Sequence, residues 1–371
     1  MGGMALTAMS PPTMLQAAVI GAGFMATVHS RAIRNAGGAL AATASSTPAS
    51  AREAASRLGI AKPHDSLEAL LDDDSIDVVH ICTPNTTHFE IAAAALRAGK
   101  HVICEKPLTT NAADAQELID LANEHGLQGS VPFIYRFHPM VREARARIAA
   151  GSTGRLITLQ ASYLQDWLAG TTDDDWRVDA SRGGPSRAFA DIGSHLCDLI
   201  EFTTGQRITR LNATKRTVHT TRATNSNIAT EDIVALLTEF DGGLLGTLLI
   251  SQVAPGHKNA LVFEVSGTNE SLRFAQETPE ELWIGSTTGN KFLPRNAATL
   301  APDASRLSLV PAGHPMGYQD AFNAFIADSY TAIGGNTPEG LPTFADGLRA
   351  VRLTEAVLES AATGDWIEVT P

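Results

Sequence analysis

The sequence predicts two domains, an α/β domain with a parallel sheet followed by an α+β domain with a large, mostly antiparallel open sheet. Three observations support this prediction. The chain has 371 residues, which is more than one hydrophobic core usually holds. From residue 16 to about 150, short apolar runs alternate with helical patterns, which indicates βαβ units. Beyond the glycine-bounded segment 151–154, long β-rich segments dominate, with turn signals at 241–243 and 267–270.

Apolar periodicity places the elements in order along the chain. In the first part, strands are predicted at 16–20, 39–44, 78–82, 101–104 and 129–133, and helices at 26–35, 49–58, 66–71, 88–98 and 112–125. In the second part, strands are predicted at 156–164, 208–219, 233–239, 244–253 and 261–267, and helices at 190–202, 318–333 and 344–363.

These elements give three segments. Residues 1–15 are predicted to be a disordered leader, because they carry no basic side chain and so differ from a signal peptide. Residues 16–135 form the first domain and residues 136–371 the second, whose last helix is free to pack back on the first. An open antiparallel sheet with one free face predicts a homodimer or homotetramer formed through that sheet.

Composition excludes several classes of partner. The chain has 40 acidic and 28 basic residues and a net charge of −12, which argues against nucleic acid and against anionic membranes. No apolar run reaches the roughly 18 residues that span a bilayer. The three cysteines, Cys82, Cys104 and Cys197, form no C-x-x-C pair. They indicate reduced, buried thiols in a cytoplasmic protein without a metal site.

A glycine-rich loop follows the first predicted strand. Gly21, Gly23 and Ala26 form a G-x-G-x-x-A pattern between a strand and a helix, the context of a dinucleotide-binding Rossmann fingerprint. Glycines allow a tight turn and close approach of a pyrophosphate at the helix N-terminus. Phe24 and Met25, which lie within this loop, are expected to contact the cofactor together with the glycines.

The end of the second strand indicates which cofactor is preferred. Enzymes that prefer NAD place an acidic residue there for the ribose 2′-hydroxyl, whereas residues 25–51 contain none. Ser45, Ser46 and Arg52 offer hydroxyls and a guanidinium that suit a 2′-phosphate. NADP is therefore the predicted cofactor. The alternative is that the serines are turn residues and that NAD also binds.

Two further motifs carry candidate acid/base groups. Lys106 follows the apolar strand 101–104 and precedes Pro107, which places a cation at the mouth of the sheet; alone it also fits an exposed lysine at a strand end. Asp191 and His195 are four residues apart, so on a helix they share one face, where a carboxylate can orient an imidazole. The alternative is a capping aspartate and a core histidine.

Together these motifs resemble the glucose–fructose oxidoreductase/inositol dehydrogenase (Gfo/Idh/MocA) family. The resemblance rests on the loop 21–26, on Thr83, Pro84, Asn85 and His88, on Glu105, Lys106 and Pro107, and on Asp191 with His195. It extends from residue 16 over nearly the whole chain. It implies a Rossmann domain, an α+β domain, and NAD(P)-dependent oxidation or reduction of a pyranose, inositol or related polyol.

The resemblance also implies roles for individual residues. Lys106 would orient the reacting hydroxyl, His195 would take or return its proton, and Asp191 would position both substrate and histidine. A cis peptide is implied between Lys106 and Pro107. Further implied cofactor contacts are Thr83, Pro84, Asn85, His88, Glu105, Trp176 and Arg177, and further implied substrate contacts are Tyr163, Gln165, Asp166 and Arg177.

Other activities fit the same sequence less well. A non-catalytic NADP-binding regulator would share the fold, but such proteins usually lose the acid/base residues that are present here. A glycosidase that uses transient oxidation and a biliverdin-type reductase carry other acid/base groups. The segment around Tyr163 is similar to one in pyranose and anhydrosugar dehydrogenases, and is equally a strand that ends in a loop. The sugar itself depends on loops within 163–187 and is not readable from the sequence.

Overall fold

A computed structural model describes residues 14–336 and 338–370. In the N-terminal domain, six strands form one parallel sheet in the order β3-β2-β1-β4-β5-β6. The strands are β1 (Gln16–Ile20), β2 (Ala39–Ala44), β3 (Lys62–Pro63), β4 (Val78–Ile81), β5 (His101–Cys104) and β6 (Gly129–Ser130). The helices are α1 (Phe24–Asn35), α2 (Pro48–Leu58), α3 (Leu67–Leu71), α4 (His88–Arg97) and α5 (Ala112–His125).

The strand order reverses between β1 and β4, and this switch point is where open α/β sheets bind ligands. Gly21 turns the chain there with φ +115°. A Cβ atom at Gly21 would lie 2.6 Å from the carbonyl oxygen of Cys82 at the end of β4. Only glycine therefore lets the loop approach its neighbouring strand this closely.

The C-terminal part contains a nine-stranded sheet in the order β14-β13-β12-β11-β7-β10-β9-β8-β15, in which only β7 and β10 pair in parallel. Its strands are β7 (Leu156–Leu164), β8 (Ile208–Arg216), β9 (Ile233–Phe240), β10 (Leu245–Ser251), β11 (Ala260–Gly267), β12 (Ser271–Ala275), β13 (Glu281–Ser286), β14 (Gly289–Pro294) and β15 (Ile367–Glu368). The helices are α6 (Pro139–Ala149), α7 (Ala180–Gly183), α8 (Ser194–Thr204), α9 (Pro302–Arg306), α10 (Tyr318–Ile333) and α11 (Phe344–Thr363). The predicted fold class is confirmed.

Two predicted strands end early for identifiable reasons. The strand predicted at 129–133 ends at Ser130, because the next residue, Val131, donates its N–H to the carbonyl of Pro342 and Pro132 has no N–H to donate. The strand predicted at 208–219 ends at Arg216, because the N–H groups of residues 218 and 219 both bind the Asp232 carboxylate.

The helix predicted at 190–202 consists of two parts. A π-helical turn covers Phe189–Gly193, and α8 follows from Ser194. A Cβ atom at Gly193 would lie 2.5 Å from the Phe189 ring, so glycine is needed where the turn widens. This π-turn changes the relative direction of Asp191 and His195 from that of an α-helix.

Helices from the C-terminal part cover the N-terminal domain. Helix α10 packs against α1, and α11 packs against both α5 and β8. Of the predicted leader, residues 1–13 lie outside the described residues, while the carbonyl of Leu15 accepts a hydrogen bond from Ala39 N. Among the helices of the described ranges, none is long and apolar enough to cross a membrane.

Candidate active site

A cleft of about 980 Å³ lies at the carboxyl ends of β1, β4 and β5 and is closed by residues of the C-terminal part. This volume is at the upper end of the range for small-molecule and cofactor sites. Most of the predicted site residues line it: Gly21, Gly23, Phe24, Met25, Ser45, Ser46, Thr83, Pro84, Asn85, His88, Glu105, Lys106, Tyr163, Gln165, Trp176, Arg177, Asp191 and His195.

Two of the predicted site residues, Arg52 and Asp166, are not among those that line the cleft. Arg52 does not line the cleft, because it lies on the outer face of α2, where its guanidinium is 3.0 Å from the exposed carboxylate of Asp65. Asp166 also lies away from the cleft. Its carboxylate is 2.7 Å from Lys258 Nζ and accepts the backbone N–H of Gly256, so it closes a surface turn.

The glycine loop has the features that a pyrophosphate requires. The Cα of Gly23 faces open space, with no atom within 4 Å of the position that a Cβ would take. Helix α1 begins directly after it, without a side-chain cap and without an acidic residue in its first turn. Its first backbone N–H groups therefore remain available to an anion, with the favourable end of the helix dipole behind them.

The end of β2 presents hydroxyl groups to the cleft. Ser45, Ser46 and Ser50 line this end, and the Ser45 and Ser50 hydroxyl oxygens are 2.9 Å apart. Ser45 was predicted from the sequence, whereas its partner Ser50 was not. Arg52, although on the same helix, points the other way because Ala51, Ala54 and Ala55 form the buried face.

At the other end of the cleft, Lys106 and Asp191 form an ion pair between the two domains. Lys106 Nζ is 2.6 Å from Asp191 Oδ1 and 2.9 Å from the Asp191 carbonyl oxygen. Gln252 Nε2 donates to Asp191 Oδ2 over 2.7 Å, and Arg177 Nε lies 3.6 Å from Oδ1. Burial alone would raise the pKa of Asp191, but the Lys106 and Arg177 cations hold it well below its ordinary value.

His195 is not hydrogen-bonded to Asp191, contrary to the expected pairing of carboxylate and imidazole. Among the described residues, His195 Nδ1 has no hydrogen-bond partner. The ring lies edge-on to those of Phe133 and Tyr135, with centroids 5.6 and 5.1 Å away. Burial, reinforced by the Lys106 cation, lowers the pKa of His195 to about 3. The imidazole is therefore neutral at physiological pH.

A row of hydrogen-bonded polar side chains borders the space in front of Lys106. Asn259 Oδ1 accepts from Tyr163 Oη over 2.7 Å and from Gln165 Nε2 over 2.8 Å. Trp167 Nε1 donates to Gln165 Oε1 over 2.7 Å, and Asn259 Nδ2 donates to Tyr135 Oη over 3.2 Å. Tyr135, Asn259 and Gln252 were not predicted as site residues. Tyr135 lies in the 3-10 turn Ile134–Phe137 after β6, whereas no local motif marks Asn259 and Gln252, which flank β11 and β10 of the large sheet.

Two predicted cofactor contacts fix loops around the cleft, and one of them, Asn85, also ties the two domains together. Asn85 Nδ2 donates to the carbonyl of Gly183 over 2.9 Å. The His88 ring lies between the carbonyl oxygens of Pro107 at 2.8 Å and Thr83 at 3.0 Å. Burial lowers the pKa of His88, so its single N–H binds one of these carbonyls. His88 thus fixes the loops that border the cleft.

The remaining features of the site are an aromatic wall and a cis bond. The Arg177 guanidinium stacks on the Trp176 ring at 4.4 Å, a favourable cation–π contact. The Lys106–Pro107 peptide bond is cis, as the family resemblance implied.

The three cysteines are free thiols, of which Cys82 is half-buried and lines the cleft. No group of acidic, histidine or cysteine side chains within the described ranges has the arrangement of a metal site.

Comparison with known proteins decides the family. An oxidoreductase family model with an NAD-binding Rossmann fold matches residues 15–133, and the GFO/IDH/MocA C-terminal domain model matches residues 141–273. Levoglucosan dehydrogenase of Pseudarthrobacter phenanthrenivorans is 31% identical over 350 residues, which are 88% of this chain and 88% of that protein. The chain belongs to the Gfo/Idh/MocA family.

Further Gfo/Idh/MocA relatives cover nearly the whole chain. The 1,5-anhydro-D-fructose reductase of Ensifer adhaerens is 30% identical and covers 91% of this chain and 93% of its own. A structure of levoglucosan dehydrogenase with NADH and levoglucosan superimposes with a TM-score of 0.89 at 30% identity, covering 96% of this chain and 99% of that chain. An oxidoreductase domain protein from Kribbella flavida superimposes with a TM-score of 0.90 at 33% identity, covering 97% and 100%. This member of the family is therefore an oxidoreductase with an NAD-binding Rossmann domain.

Proposed function

We propose that this protein is an NAD(P)-dependent dehydrogenase or reductase that acts on a CH–OH group of a sugar, anhydrosugar or inositol. The observation that supports this most is the position of Lys106, Asp191 and His195. They lie together in the same cleft as the glycine loop, so a cofactor and a hydroxyl substrate fit side by side. A regulator would have no use for a cation, a carboxylate and a neutral imidazole at this point.

In the proposed reaction, two groups of the protein act on the substrate hydroxyl. The Lys106 ammonium donates a hydrogen bond to the hydroxyl oxygen and stabilises negative charge that develops there. His195, neutral because of its burial, accepts the hydroxyl proton as general base. A bound nicotinamide supplies the hydride acceptor for the electron pair of the ring C–H bond. Asp191 holds Lys106 in place through the 2.6 Å ion pair.

We infer that the substrate is a pyranose or an anhydrosugar. Levoglucosan dehydrogenase and 1,5-anhydro-D-fructose reductase are among the relatives that cover most of the chain. The row formed by Tyr163, Gln165 and Asn259 offers donors and acceptors suited to ring hydroxyls, with Trp167 beside them. A screen of levoglucosan, glucose, xylose and myo-inositol, each with NAD and NADP, tests this. Absence of turnover on all four, in both directions, would refute it.

We propose that NADP is the preferred cofactor, because Ser45, Ser46 and Ser50 line the end of β2 and residues 25–51 contain no acidic side chain. The serines alone support this preference, since Arg52 is paired with Asp65. Ser45→Asp should lower kcat/KM for NADP by about 10²-fold, because it places a carboxylate against the 2′-phosphate and leaves the ribose of NAD with an acceptor. Steady-state kinetics with both cofactors measures the ratio.

The matched control for this change is Asp65→Ala, which frees Arg52 without touching the cleft. If Arg52 takes no part, this variant keeps the wild-type preference. A Ser45→Asp variant with an unchanged NADP-to-NAD ratio would contradict the proposed contact.

We propose that a second copy of the chain covers the free face of the nine-stranded sheet. This face exposes Leu237 by 49%, Leu245 by 57% and Leu249 by 43%, an apolar patch unusual for a monomer surface. Leu237→Arg combined with Leu249→Arg should convert the oligomer to monomers, as measured by sedimentation velocity. Leu309→Arg is the matched control, because Leu309 is 60% exposed but lies outside the sheet. A wild-type chain that sediments as a monomer would refute the proposal.

A further inference from the structure

Beneath Lys106, four polar side chains form one continuous series of hydrogen bonds that runs through the N-terminal domain to helix α10. His29 Nε2 lies 3.1 Å from Glu105 Oε1, and His29 Nδ1 lies 2.9 Å from His80 Nδ1. His80 Nε2 in turn lies 3.0 Å from Tyr330 Oη. Both histidines are fully buried, and the two end residues are less than 10% exposed. The chain joins α1, β4, the end of β5 and α10.

The direction of this chain follows from the charge of Glu105. Burial would raise the pKa of Glu105, but the hydrogen bond and charge of His29 lower it, so it is a carboxylate and only accepts hydrogen bonds. Burial lowers the pKa of His80 well below its ordinary value. His29 therefore donates its Nε2–H to Glu105, its Nδ1 is bonded to His80 Nδ1, and His80 Nε2 is bonded to Tyr330 Oη.

The other end of Glu105 reaches the reacting groups. Its Oε2 accepts the backbone N–H of Lys106 over 3.1 Å, and its charge faces Lys106 and His195. The titratable side chains that face Glu105 are His29 on α1, Cys82 after β4, His88 on α4, Cys104 on β5, Lys106, Arg177, His195 on α8 and Tyr318 on α10. Among these, His29 is the neighbour that donates a side-chain hydrogen bond to the carboxylate.

Polar groups this deeply buried destabilise a fold unless all of them are bonded, and apolar side chains of similar size would pack at least as well. Resting on the function proposed above, we propose that His29, His80 and Tyr330 are positioning residues for the reaction. They hold Glu105 as an oriented carboxylate beneath Lys106, which fixes the backbone of the lysine and keeps a negative charge beside His195.

The test compares His29→Leu, His29→Gln and Tyr330→Phe with the wild type. His29→Leu removes the donor to Glu105, so burial raises the pKa of the carboxyl and its charged form is lost at higher pH than in the wild type. With the best sugar of the screen above, kcat/KM at pH 6 should fall about tenfold relative to pH 8, a loss that the wild type does not show. Glutamine restores an N–H at the same place, so His29→Gln should recover most of the activity at pH 6.

Tyr330→Phe keeps the ring and thereby the packing, and it removes only the hydroxyl that bonds His80 Nε2. This variant should shift the pH dependence of kcat/KM in the same direction as His29→Leu does, but by a smaller amount. Carbon-13 carboxyl spectra, in which Glu105→Gln assigns the resonance, follow the same titration without substrate. The inference would be overturned if Glu105 titrated in His29→Leu and Tyr330→Phe as it does in the wild type. It would also be overturned if the loss of kcat/KM in His29→Leu were equal at every pH and were not recovered in His29→Gln. Because the spectra need no turnover, this failure is distinguishable from failure of the proposed function.

Discussion

Lys106→Ala should lower kcat by about 10²- to 10³-fold while cofactor affinity stays within a few-fold of the wild type. The ammonium group is the donor proposed to stabilise charge on the substrate oxygen, and among the described residues no other cation is bonded as closely to Asp191. The fold should survive the change, because Asp191 keeps its bond from Gln252 and its neighbour Arg177. Steady-state kinetics gives kcat, and quenching of protein fluorescence by NADPH gives the affinity.

The matched control is Lys258→Ala. Lys258 also forms a 2.7 Å ion pair with an aspartate, but its side chain is 78% exposed and its partner, Asp166, lies away from the cleft. Exposed pairs of this kind contribute little, so this variant should keep wild-type kcat. Full activity in Lys106→Ala would refute the proposed role of the lysine, and so would equal losses in both variants.

The parts of the site that sequence reasoning predicted are those carried by short, local motifs. The G-x-G-x-x-A loop sits between a strand and a helix, so the position of Gly21 and Gly23 follows from the spacing alone. Lys106 is placed by the strand before it and the proline after it in the same way. The position of each of these residues depends on neighbours within a few positions in the sequence, and each residue lines the cleft.

Errors arose where the direction of a side chain depends on helix geometry. Arg52 follows Ala51 on α2, and the buried alanines at 51, 54 and 55 turn it toward solvent; this periodicity was visible in the sequence. The relation of Asp191 to His195 assumed an α-helix, whereas the π-turn at Phe189–Gly193 changes the spacing. Only Gly193 hinted at it, since no propensity distinguishes a π-turn from an α-helix.

Contacts made across the large sheet had no signal in the sequence. Gln252 follows β10 and reaches Asp191, which is 61 positions away. Asn259 precedes β11 and meets Tyr163 on β7, 96 positions away. The second contact depends on the register of β7 against β11, and the first on how the π-turn packs against β10. Register in a sheet is set by pairing between distant segments, and a single sequence does not reveal that pairing.

A buried charge cluster supports the wall of the cleft, and it was also invisible in the sequence. Asp232 binds the guanidinium groups of Arg187 and Arg222, and all three side chains are fully buried. The other carboxylate oxygen accepts the N–H of Val218 over 2.6 Å. Arg222 also donates to the carbonyls of residues 170 and 173, each over 2.9 Å. The cluster thus connects β9 with the segment that carries Trp176 and Arg177.

Asp232→Asn should destabilise the protein by about 3–5 kcal/mol, because it keeps the shape of the side chain but leaves two guanidinium charges unpaired in the interior. Burial would raise the pKa of Asp232, but Arg187 lowers it below its ordinary value. The stabilisation is therefore present above the ordinary aspartate pKa and is lost as pH falls through the lowered one. The difference in Tm between variant and wild type should thus be large at pH 7 and shrink in acid.

Thermal unfolding at pH 7 and in acid measures this difference, and Asp65→Asn is its control. Asp65 pairs with Arg52 at 3.0 Å, but both side chains are more than half exposed, so the control should change stability by less than about 1 kcal/mol. In Asp232→Asn, the loosened wall should also raise KM for the sugar more than it lowers kcat, because Trp176 and Arg177 border the cleft while Lys106 and His195 keep their positions. Equal Tm values for Asp232→Asn and Asp65→Asn would contradict this prediction, because they would show that other groups balance the charges of Arg187 and Arg222.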